Sequence, residues 1–191
     1  MRTTIMSIPT KEVLRKEILH QLRQQNHTQR ARKSRKVMRI LTNLAEFQRA
    51  GCILFYLAKR EEVQTASAIR QAQKLSKKIA VPVVLEREKR MIASFVENIA
   101  LEVAPGPYGI LQPKARFLRQ VPLRSIDLVI VPAVAFDRRG HRLGRGLGYY
   151  DRFLATLPES TPCVGLAFDF QVVERLPVLS HDIAVNTVIS A

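Results

Sequence analysis

Runs of nearly continuous apolar residues recur along this chain and alternate with stretches that repeat apolar residues at helical spacing. The runs lie at 52–57, 79–85, 126–131, 163–168 and 184–189. A short run without polar alternation is typical of a strand that is buried on both faces of a parallel sheet. The alternation therefore predicts an α/β fold, with a parallel-rich sheet sandwiched between helices in a Rossmann-like three-layer arrangement.

The helical stretches and the turns between them complete this prediction. Thr10 is a good N-cap, so a helix is expected over 11–23. Further helices are expected over 28–47, 65–78, 150–157 and 169–175. Residues 86–90 are predicted as a turn, 91–103 as one or two short edge strands, and the proline-rich segment 104–114 as a rigid loop. A chain of 191 residues forms one core readily, so we expect a single domain over 1–191.

Composition excludes several classes of protein. No apolar segment is long enough to cross a bilayer, and the N-terminus lacks the apolar core of a signal peptide. Cys52 and Cys163 both lie in apolar runs, which predicts two buried thiols in a reducing compartment. We expect a cytoplasmic protein, with a soluble organelle protein as the alternative. With four histidines and two cysteines there is no zinc-type cluster, so any metal is expected to be a hard cation on carboxylates.

The positive charge of the chain is concentrated near its start. The net charge is +15, and residues 1–40 hold eleven lysines and arginines against two glutamates, so nine of these charges lie there. A basic segment of this kind suits nucleic acid, a solvated helix face or a pocket for a small polyanion. Because no aromatic residue interleaves the charges to stack on bases, we favour the last two interpretations.

A glycine-rich loop follows the run at 126–131. It carries Gly144, Gly146 and Gly148 at alternate positions and leads through two tyrosines to Asp151, so the predicted order is strand, loop, helix. Glycine lets the backbone approach a ligand closely, and arginines such as Arg142 and Arg145 suit phosphate oxygens. A simple tight turn is the alternative. The spacing matches neither the dinucleotide fingerprint nor the Walker loop.

Several segments together match a known family. They are Lys11 to Arg15, Phe55 to Leu57, Glu62 to Thr65, Gly106 to Ile110, and above all Val131 to Phe153. In this order along nearly the whole chain, the sequence resembles the 5-formyltetrahydrofolate cyclo-ligase family. The resemblance implies an enzyme that closes 5-formyltetrahydrofolate to 5,10-methenyltetrahydrofolate, with ATP as co-substrate, Mg²⁺ as cofactor, and ADP and phosphate as products.

The resemblance also implies roles for individual residues. It implies catalytic roles for Arg145 and Tyr149, and metal binding by Asp151 and Asp182. ATP is expected to be bound by Lys11, Arg15, Arg142, Gly144, Arg145, Gly146, Gly148 and Tyr150. The folate substrate is expected to be bound by Leu57, Glu62, Gly146, Gly148 and Tyr149. Outside the resemblance, simpler interpretations stay open: a solvated face for Lys11 and Arg15, a surface acid for Glu62, a first-turn carboxylate for Asp151, and a core position for Tyr150.

Three positions depart from the family pattern. Gln112 and Asn186 stand where acids are common, and Leu147 occupies a variable site. We expect a monomer that binds ATP and 5-formyltetrahydrofolate, whose polyglutamylated forms suit the basic charge, and that does not bind a membrane. The alternative is a protein of this fold that lacks the activity and binds nucleic acid or a protein assembly through its basic N-terminal helices.

Overall fold

A computed structural model describes residues 10–191, in which six α-helices and eleven strands are formed. The first nine residues, where the sequence predicts no signal-peptide core, lie outside this described part. The helices are α1 (Lys11–Gln24), α2 (His27–Asn43), α3 (Ala45–Arg49), α4 (Ala66–Lys74), α5 (Ile99–Glu102) and α6 (Tyr149–Leu154). Single 3-10 turns cover Pro107–Gly109, Ala115–Phe117, Leu123–Ser125 and Asp169–Gln171.

The strands form three sheets. They are β1 (Cys52–Leu54), β2 (Lys78–Leu85), β3 (Arg90–Phe95), β4 (Val103–Pro105), β5 (Leu111–Pro113), β6 (Leu128–Pro132), β7 (Ala135–Asp137), β8 (Arg142–Leu143), β9 (Cys163–Ala167), β10 (Val172–Val173) and β11 (Thr187–Ser190). The main sheet has the order β11-β9-β6-β1-β2-β3, and all its pairs are parallel except the edge pair β2–β3. The predicted parallel-rich sheet is therefore confirmed.

The strand order reverses direction at the centre of this sheet. From β1 the chain moves outward on one side to β2 and β3, and from β6 it moves outward on the other side to β9 and β11. Neighbouring strands β1 and β6 are parallel, so their carboxyl ends lie at the same edge. Such a reversal opens a crevice beyond the carboxyl ends of the two strands, where α/β proteins bind their ligands.

Helices cover both faces of the main sheet, as predicted, but unequally. One core cluster packs the sheet against α1, α2 and α4. Helix α1 contributes Leu14, Ile18 and Leu22, which are four residues apart and so lie on one face. The second cluster, on the other face, includes Phe153 and Leu154 of α6. Because α6 has only six residues, irregular segments complete this second layer.

The N-terminal helices agree with the sequence prediction except at one boundary. The Thr10 side chain accepts a hydrogen bond from Val13 N at 3.3 Å, so the predicted cap of α1 is confirmed. The single helix predicted over 28–47 is instead two helices, since Leu44 leaves the helical backbone at ψ 143°. The Gln48 side chain then donates to the Thr42 carbonyl, which the break has left without a helical partner.

The proline-rich segment 104–114, predicted as a rigid loop, instead forms a β-hairpin. Strands β4 and β5 pair antiparallel around the turn Pro107–Gly109, and Gly106 N donates to Ile110 O at 2.8 Å. The Gln112 side chain accepts from Val84 N at 3.0 Å and so joins this hairpin to β2. Prolines at both ends of the hairpin are tolerated because its edges need few N–H donors.

The helix predicted over 169–175 is also wrong. Only Asp169–Gln171 forms a 3-10 turn, after which β10 pairs in parallel with β7. The Gln171 amide donates to the carbonyls of Ala133 and Val134, both at 3.0 Å. These long-range bonds hold the chain against β7 and so prevent the helix from continuing. The last strand begins at Thr187, three residues later than predicted.

A hairpin that the sequence did not predict lies between β6 and the glycine-rich loop. The chain turns from β7 to β8 before the loop begins, so β8, and not the buried strand β6, leads into the loop. The buried Asp137 carboxylate organises the turn by accepting from the N–H groups of Arg139 and His141, at 2.9 and 3.0 Å. Burial acts to raise the pKa of Asp137, but its hydrogen bonds, led by that from the His141 ring, outweigh burial and lower it.

Both cysteines are buried and free, as predicted. Burial is the main cause that raises the pKa of Cys52 and of Cys163 to about 11. A thiol with this pKa is almost entirely protonated at neutral pH and is therefore a poor nucleophile. In residues 10–191, no helix has both the length and the apolar composition to span a membrane.

Candidate active site

A cavity of about 980 Å³, part of it open to solvent, lies at the central reversal of the main sheet. Its floor lies at the carboxyl ends of β1 and β6 and is formed by Tyr56 and Leu57, which follow β1, and by Pro132 to Val134 at the end of β6. The residues of the sequence prediction that line it are Leu57, Glu62, Arg142, Gly144, Arg145, Gly148, Tyr149, Tyr150 and Asp151. Elements far apart in sequence thus bring most of the predicted site together.

The remaining predicted residues, Lys11, Arg15, Gly146 and Asp182, lie outside the described cavity lining. Arg15 donates through Nε to Gly144 O at 3.0 Å, so α1 holds the outer side of the glycine-rich loop. Lys11 pairs with the Asp182 carboxylate at 2.5 Å. Helix α1 therefore buttresses both the loop and the segment around Asp182.

The glycine-rich loop needs its glycines at two positions. Gly146 has φ +103° and Gly148 has φ +64°, a backbone conformation that residues with a Cβ adopt at a cost of about 1–2 kcal/mol. Gly148 is also the N-cap of α6 and places Tyr149, Tyr150 and Asp151 in its first turn. The loop geometry thus fixes where these three side chains enter the cavity.

Asp151 and Arg142 form an ion pair beneath the loop. Arg142 donates to Asp151 Oδ1 at 2.6 Å and to the carbonyl of Ile183, while Ile183 N approaches the same carboxylate oxygen at 3.3 Å. Arg142 is buried, and this burial lowers its pKa against the opposing effect of Asp151. Both terminal nitrogens of Arg142 donate to protein acceptors. The geometry therefore favours a role for Arg142 in orienting Asp151.

The carboxylates predicted to bind metal do not form a cluster. Residues 10–191 contain no group of three histidine, cysteine, aspartate or glutamate side chains that could hold an ion. Mg²⁺ does not need a cluster of this kind, since it is usually bound by one or two carboxylates together with water and phosphate oxygens. Asp151 meets this need, with its Oδ2 unpaired in the described residues. Burial acts to raise the pKa of Asp182, but hydrogen bonds from Lys11 and Leu179 N lower it overall.

Arg145 spans the mouth of the cavity to the loop after β1. Its guanidinium donates to Glu61 Oε1 at 2.8 Å and to Glu62 Oε1 at 3.1 Å. Lys59 N donates to the other Glu62 oxygen at 2.9 Å, which fixes the orientation of that carboxylate. Burial acts to lower the pKa of Arg145, but the two carboxylates raise it overall. Glu61 has no predicted role, and its contact with Arg145 spans 84 residues.

The tyrosines of the site differ in their surroundings. The Tyr149 ring lies 6.2 Å from that of Tyr108 and is covered on another side by Arg152, whose guanidinium carbon is 5.2 Å from the ring centroid. The Tyr150 hydroxyl is buried and has no hydrogen-bond partner in residues 10–191. Burial, with Glu62 nearby, raises the pKa of Tyr150, so this hydroxyl stays protonated. A donor without a partner at a cavity wall is a position where a bound ligand gains a hydrogen bond.

Sequence reasoning missed Tyr108 and the apolar wall of the cavity. Tyr108 lies at φ +57°, an uncommon conformation for a residue other than glycine, and its carbonyl accepts from Lys59 Nζ at 2.7 Å. The wall is formed by Pro82, Val84, Met91 and Ile110. Pro82, Val84 and Met91 have no distinguishing local pattern, since strands β2 and β3 look like ordinary core strands in the sequence. Tyr108 and Ile110 lie in the segment Gly106 to Ile110 that carries part of the family resemblance.

The departures from the family pattern are explained by structural contacts. Gln112 accepts from Val84 N and lies outside the described cavity lining. Asn186 Oδ1 accepts from Cys163 N at 2.7 Å, and Asn186 N donates to Cys163 O at 2.9 Å, which aligns the chain before β11. The side-chain amide oxygens of Gln112 and Asn186 each accept one backbone hydrogen bond. Both residues lie outside the described cavity lining, so neither departure alters the cavity surface. Leu147 does line the cavity and is half exposed.

Fold and cavity together define an α/β protein with a ligand site at the point where the strand order reverses, closed by a glycine-rich loop. The sequence model of the 5-formyltetrahydrofolate cyclo-ligase family matches residues 7–191, and the chain belongs to this family. The 5-formyltetrahydrofolate cyclo-ligase of Haemophilus influenzae is 32% identical over 142 residues, which cover 74% of this chain and 76% of that protein. The mouse (Mus musculus) protein of the same name is 29% identical over 188 residues, or 94% and 92% of the two chains.

Solved structures agree with this assignment. The NMR structure of Aquifex aeolicus 5,10-methenyltetrahydrofolate synthetase matches with a TM-score of 0.81 and 33% identity, over 94% of this chain and 89% of that one. A 5,10-methenyltetrahydrofolate synthetase from Mycoplasma pneumoniae matches with a TM-score of 0.76 over 94% and 97% of the chains. At 23% identity the second match supports the fold alone.

Proposed function

We propose that this protein catalyses the ATP- and Mg²⁺-dependent cyclisation of 5-formyltetrahydrofolate to 5,10-methenyltetrahydrofolate. Membership of the cyclo-ligase family supports this function. The observation that carries it is the single cavity into which the glycine-rich loop, Asp151 and Glu62 all face. One side of this cavity suits a triphosphate and the other suits a flat heterocycle.

The chemistry requires activation of the formyl oxygen, which is a poor leaving group. The oxygen attacks the γ-phosphorus of ATP, and the bond from that phosphorus to the bridging oxygen of ADP breaks. N10 of the folate then attacks the formyl carbon, the carbon–oxygen bond breaks to release phosphate, and N10 loses its proton. Such steps depend mainly on positioning and on neutralising phosphate charge.

The phosphate side of the cavity is formed by the loop from Gly144 to Gly148. Its backbone approaches the cavity without side chains at the glycine positions, and Arg145 supplies a guanidinium fork suited to phosphate oxygens. Arg15 reaches the loop from outside through Gly144 O, and Lys11 lies beside Asp182. We assign the two α1 cations the task of adding positive charge and rigidity behind the loop.

The metal role falls to Asp151. Its carboxylate is oriented by Arg142 and Ile183 N and keeps Oδ2 free of protein partners in the described chain. When bound there, Mg²⁺ would neutralise charge on the ATP phosphates. Asp182 accepts from Lys11 and Leu179 N on Oδ2, which leaves Oδ1 free in the described chain, but it lies outside the described cavity lining and takes the secondary metal role.

The folate side is formed by Glu62, Leu57 and the apolar wall. The carboxylate of Glu62 would accept from adjacent N–H donors of a pterin ring. Tyr149 and Tyr108 offer aromatic surface at the cavity mouth, and the unpartnered Tyr150 hydroxyl offers one hydrogen bond. Gly146 and Gly148 leave room for the substrate to approach the loop.

A turnover assay tests this function. The purified protein with 5-formyltetrahydrofolate, ATP and Mg²⁺ is expected to generate the absorbance of the conjugated methenyl product. Omitting ATP, or chelating the metal with EDTA, should remove the signal. A folded protein that forms no product under these conditions would refute the proposal. We also propose a cytoplasmic location, which the buried free thiols support, and a monomeric state.

A different surface favours a second activity, binding to a nucleic-acid backbone. The exposed side chains of Arg32, Arg35, Lys36 and Arg39 follow one face of α2, a helix with no acidic residue in its 17 positions, and no ion pair involves them in the described chain. Four such contacts predict that log K falls with log salt at a slope of about −3.6 on duplex DNA. Anisotropy titrations of the wild type against a variant with these four residues changed to glutamine test this; equal salt slopes exclude the surface.

A further inference from the structure

Arg145 is held in this structure by two acids from one loop. The Glu61 and Glu62 carboxylates both accept from the same terminal nitrogen, at 2.8 and 3.1 Å. The Glu62 side chain is only 16% exposed and that of Glu61 26%. Pairs with this degree of burial are screened less than surface pairs, so they bias the position of the arginine.

The proposed function, on which this inference rests, gives Arg145 and Glu62 other partners. Arg145 is to contact the triphosphate, and Glu62 is to accept from the pterin ring. Neither residue reaches its ligand fully while the two are paired with each other. A pterin that occupies Glu62 weakens the hold on Arg145, and a triphosphate that draws Arg145 away leaves Glu62 free for the pterin.

We propose that Glu61, Glu62 and Arg145 form a latch that couples the binding of the two substrates, with Glu61 as the positioning residue that keeps Arg145 closed. Each substrate favours the open latch, so each binds more tightly when the other is present. The coupling is reciprocal by thermodynamic linkage. Its size depends on how strongly the closed state is populated in the free protein, because only the open fraction binds ATP at full strength.

Glu61 is the member of the latch that can be changed without altering the cavity. Glu62 lines the cavity, whereas Glu61 does not belong to its described lining and acts only through Arg145. Burial acts to raise the pKa of Glu61, but its own backbone hydrogen bond and the Arg145 guanidinium lower it overall, so the acid is charged at neutral pH. A glutamine at this position keeps the shape of the side chain and removes the charge that holds the arginine.

The test measures binding of a non-hydrolysable ATP analogue by calorimetry, with Mg²⁺, in the presence and absence of 5-formyltetrahydrofolate. In Glu61→Gln, we expect the analogue to bind about three- to tenfold more tightly than in the wild type when folate is absent. With folate bound, the two proteins should differ less, by under about twofold, because the pterin removes the Glu62 contact and Glu61 alone holds Arg145 weakly. The coupling factor between the substrates therefore falls in the variant.

Two controls separate the latch from a general change in charge. Glu88→Gln removes one negative charge from the neighbouring β2–β3 turn, where Glu88 pairs with Arg90, and should leave the coupling factor unchanged. In an Arg145→Gln background, Glu61→Gln should have no effect on the affinity for the analogue, since Glu61 acts through Arg145. An equal effect of Glu61→Gln with and without Arg145 would overturn the latch.

The outcomes also separate the latch from the function on which it rests. If the wild type binds both ligands and Glu61→Gln shows the wild-type coupling factor, the latch is wrong and the proposed function stands. If the wild type binds neither nucleotide nor folate, both are wrong. A coupling factor that falls in Glu61→Gln, remains in Glu88→Gln and is insensitive to Glu61 when Arg145 is absent supports the latch.

Discussion

Replacing Asp151 by asparagine is expected to lower kcat/KM for ATP by about 10²–10³-fold while the protein stays folded. Asparagine keeps an oxygen that can accept from Arg142 and Ile183 N, so the geometry beneath the loop is preserved. What is lost is the negative charge that is proposed to bind Mg²⁺. The free Mg²⁺ concentration for half-maximal rate should therefore rise by at least about tenfold.

The magnesium titration distinguishes this role from a structural one. If Asp151 served only to orient Arg142, the asparagine variant would lose some activity but keep the wild-type magnesium requirement. Asp127 provides a control, since its carboxylate also accepts two hydrogen bonds, from the backbone N–H groups of Gly51 and Cys52 at 2.9 and 2.8 Å, but lies outside the described cavity lining. Asp127→Asn should change kcat/KM by less than about threefold. A wild-type rate and magnesium requirement in Asp151→Asn would exclude Asp151 as the metal ligand.

The main sheet could be predicted because its signal is local. A strand buried on both faces must be apolar along its whole length, so β1, β2, β6 and β9 are visible as apolar runs. The helix predicted over 169–175 fails because of contacts between distant segments. Gln171 reaches carbonyls 37 and 38 residues away and thereby stops a helix that its local sequence would allow.

The candidate site divides in the same way. The glycine-rich loop and Asp151 have a local signature, because close backbone approach and a first-turn carboxylate are encoded in consecutive residues. Glu61 has none, and Tyr108 is marked only as part of the segment Gly106 to Ile110. Their contacts arise only when the chain brings them to Arg145 and Lys59, 84 and 49 residues away. The burial of Arg142 could not be predicted either, because an arginine close to a glycine-rich loop has the sequence pattern of a phosphate ligand. Only the Asp151 and Ile183 contacts favour an orienting role.

Replacing Gly140 by alanine is expected to destabilise the protein by about 3 kcal/mol or more, the sum of backbone strain and a steric clash. Gly140 has φ +84°, and a Cβ there would lie 2.2 Å from the carbonyl oxygen of Val185. That contact is with backbone, and Val185 N also donates to Gly140 O at 2.9 Å, so neither side can move without breaking the bond. For a chain of this length we expect Tm to fall by about 6–12 °C in a calorimetric scan.

Two other glycines separate the strain from the clash. Gly109 has φ +67° with no atom within 4 Å of an added Cβ, so Gly109→Ala should cost only the strain, about 1 kcal/mol. Gly144 has neither feature, and Gly144→Ala should keep Tm within about 2 °C of the wild type. A Tm for Gly140→Ala that matches Gly109→Ala would show that the Val185 segment yields. Because that segment also carries Ile183, which holds Arg142 and Asp151, such yielding should raise the magnesium requirement instead.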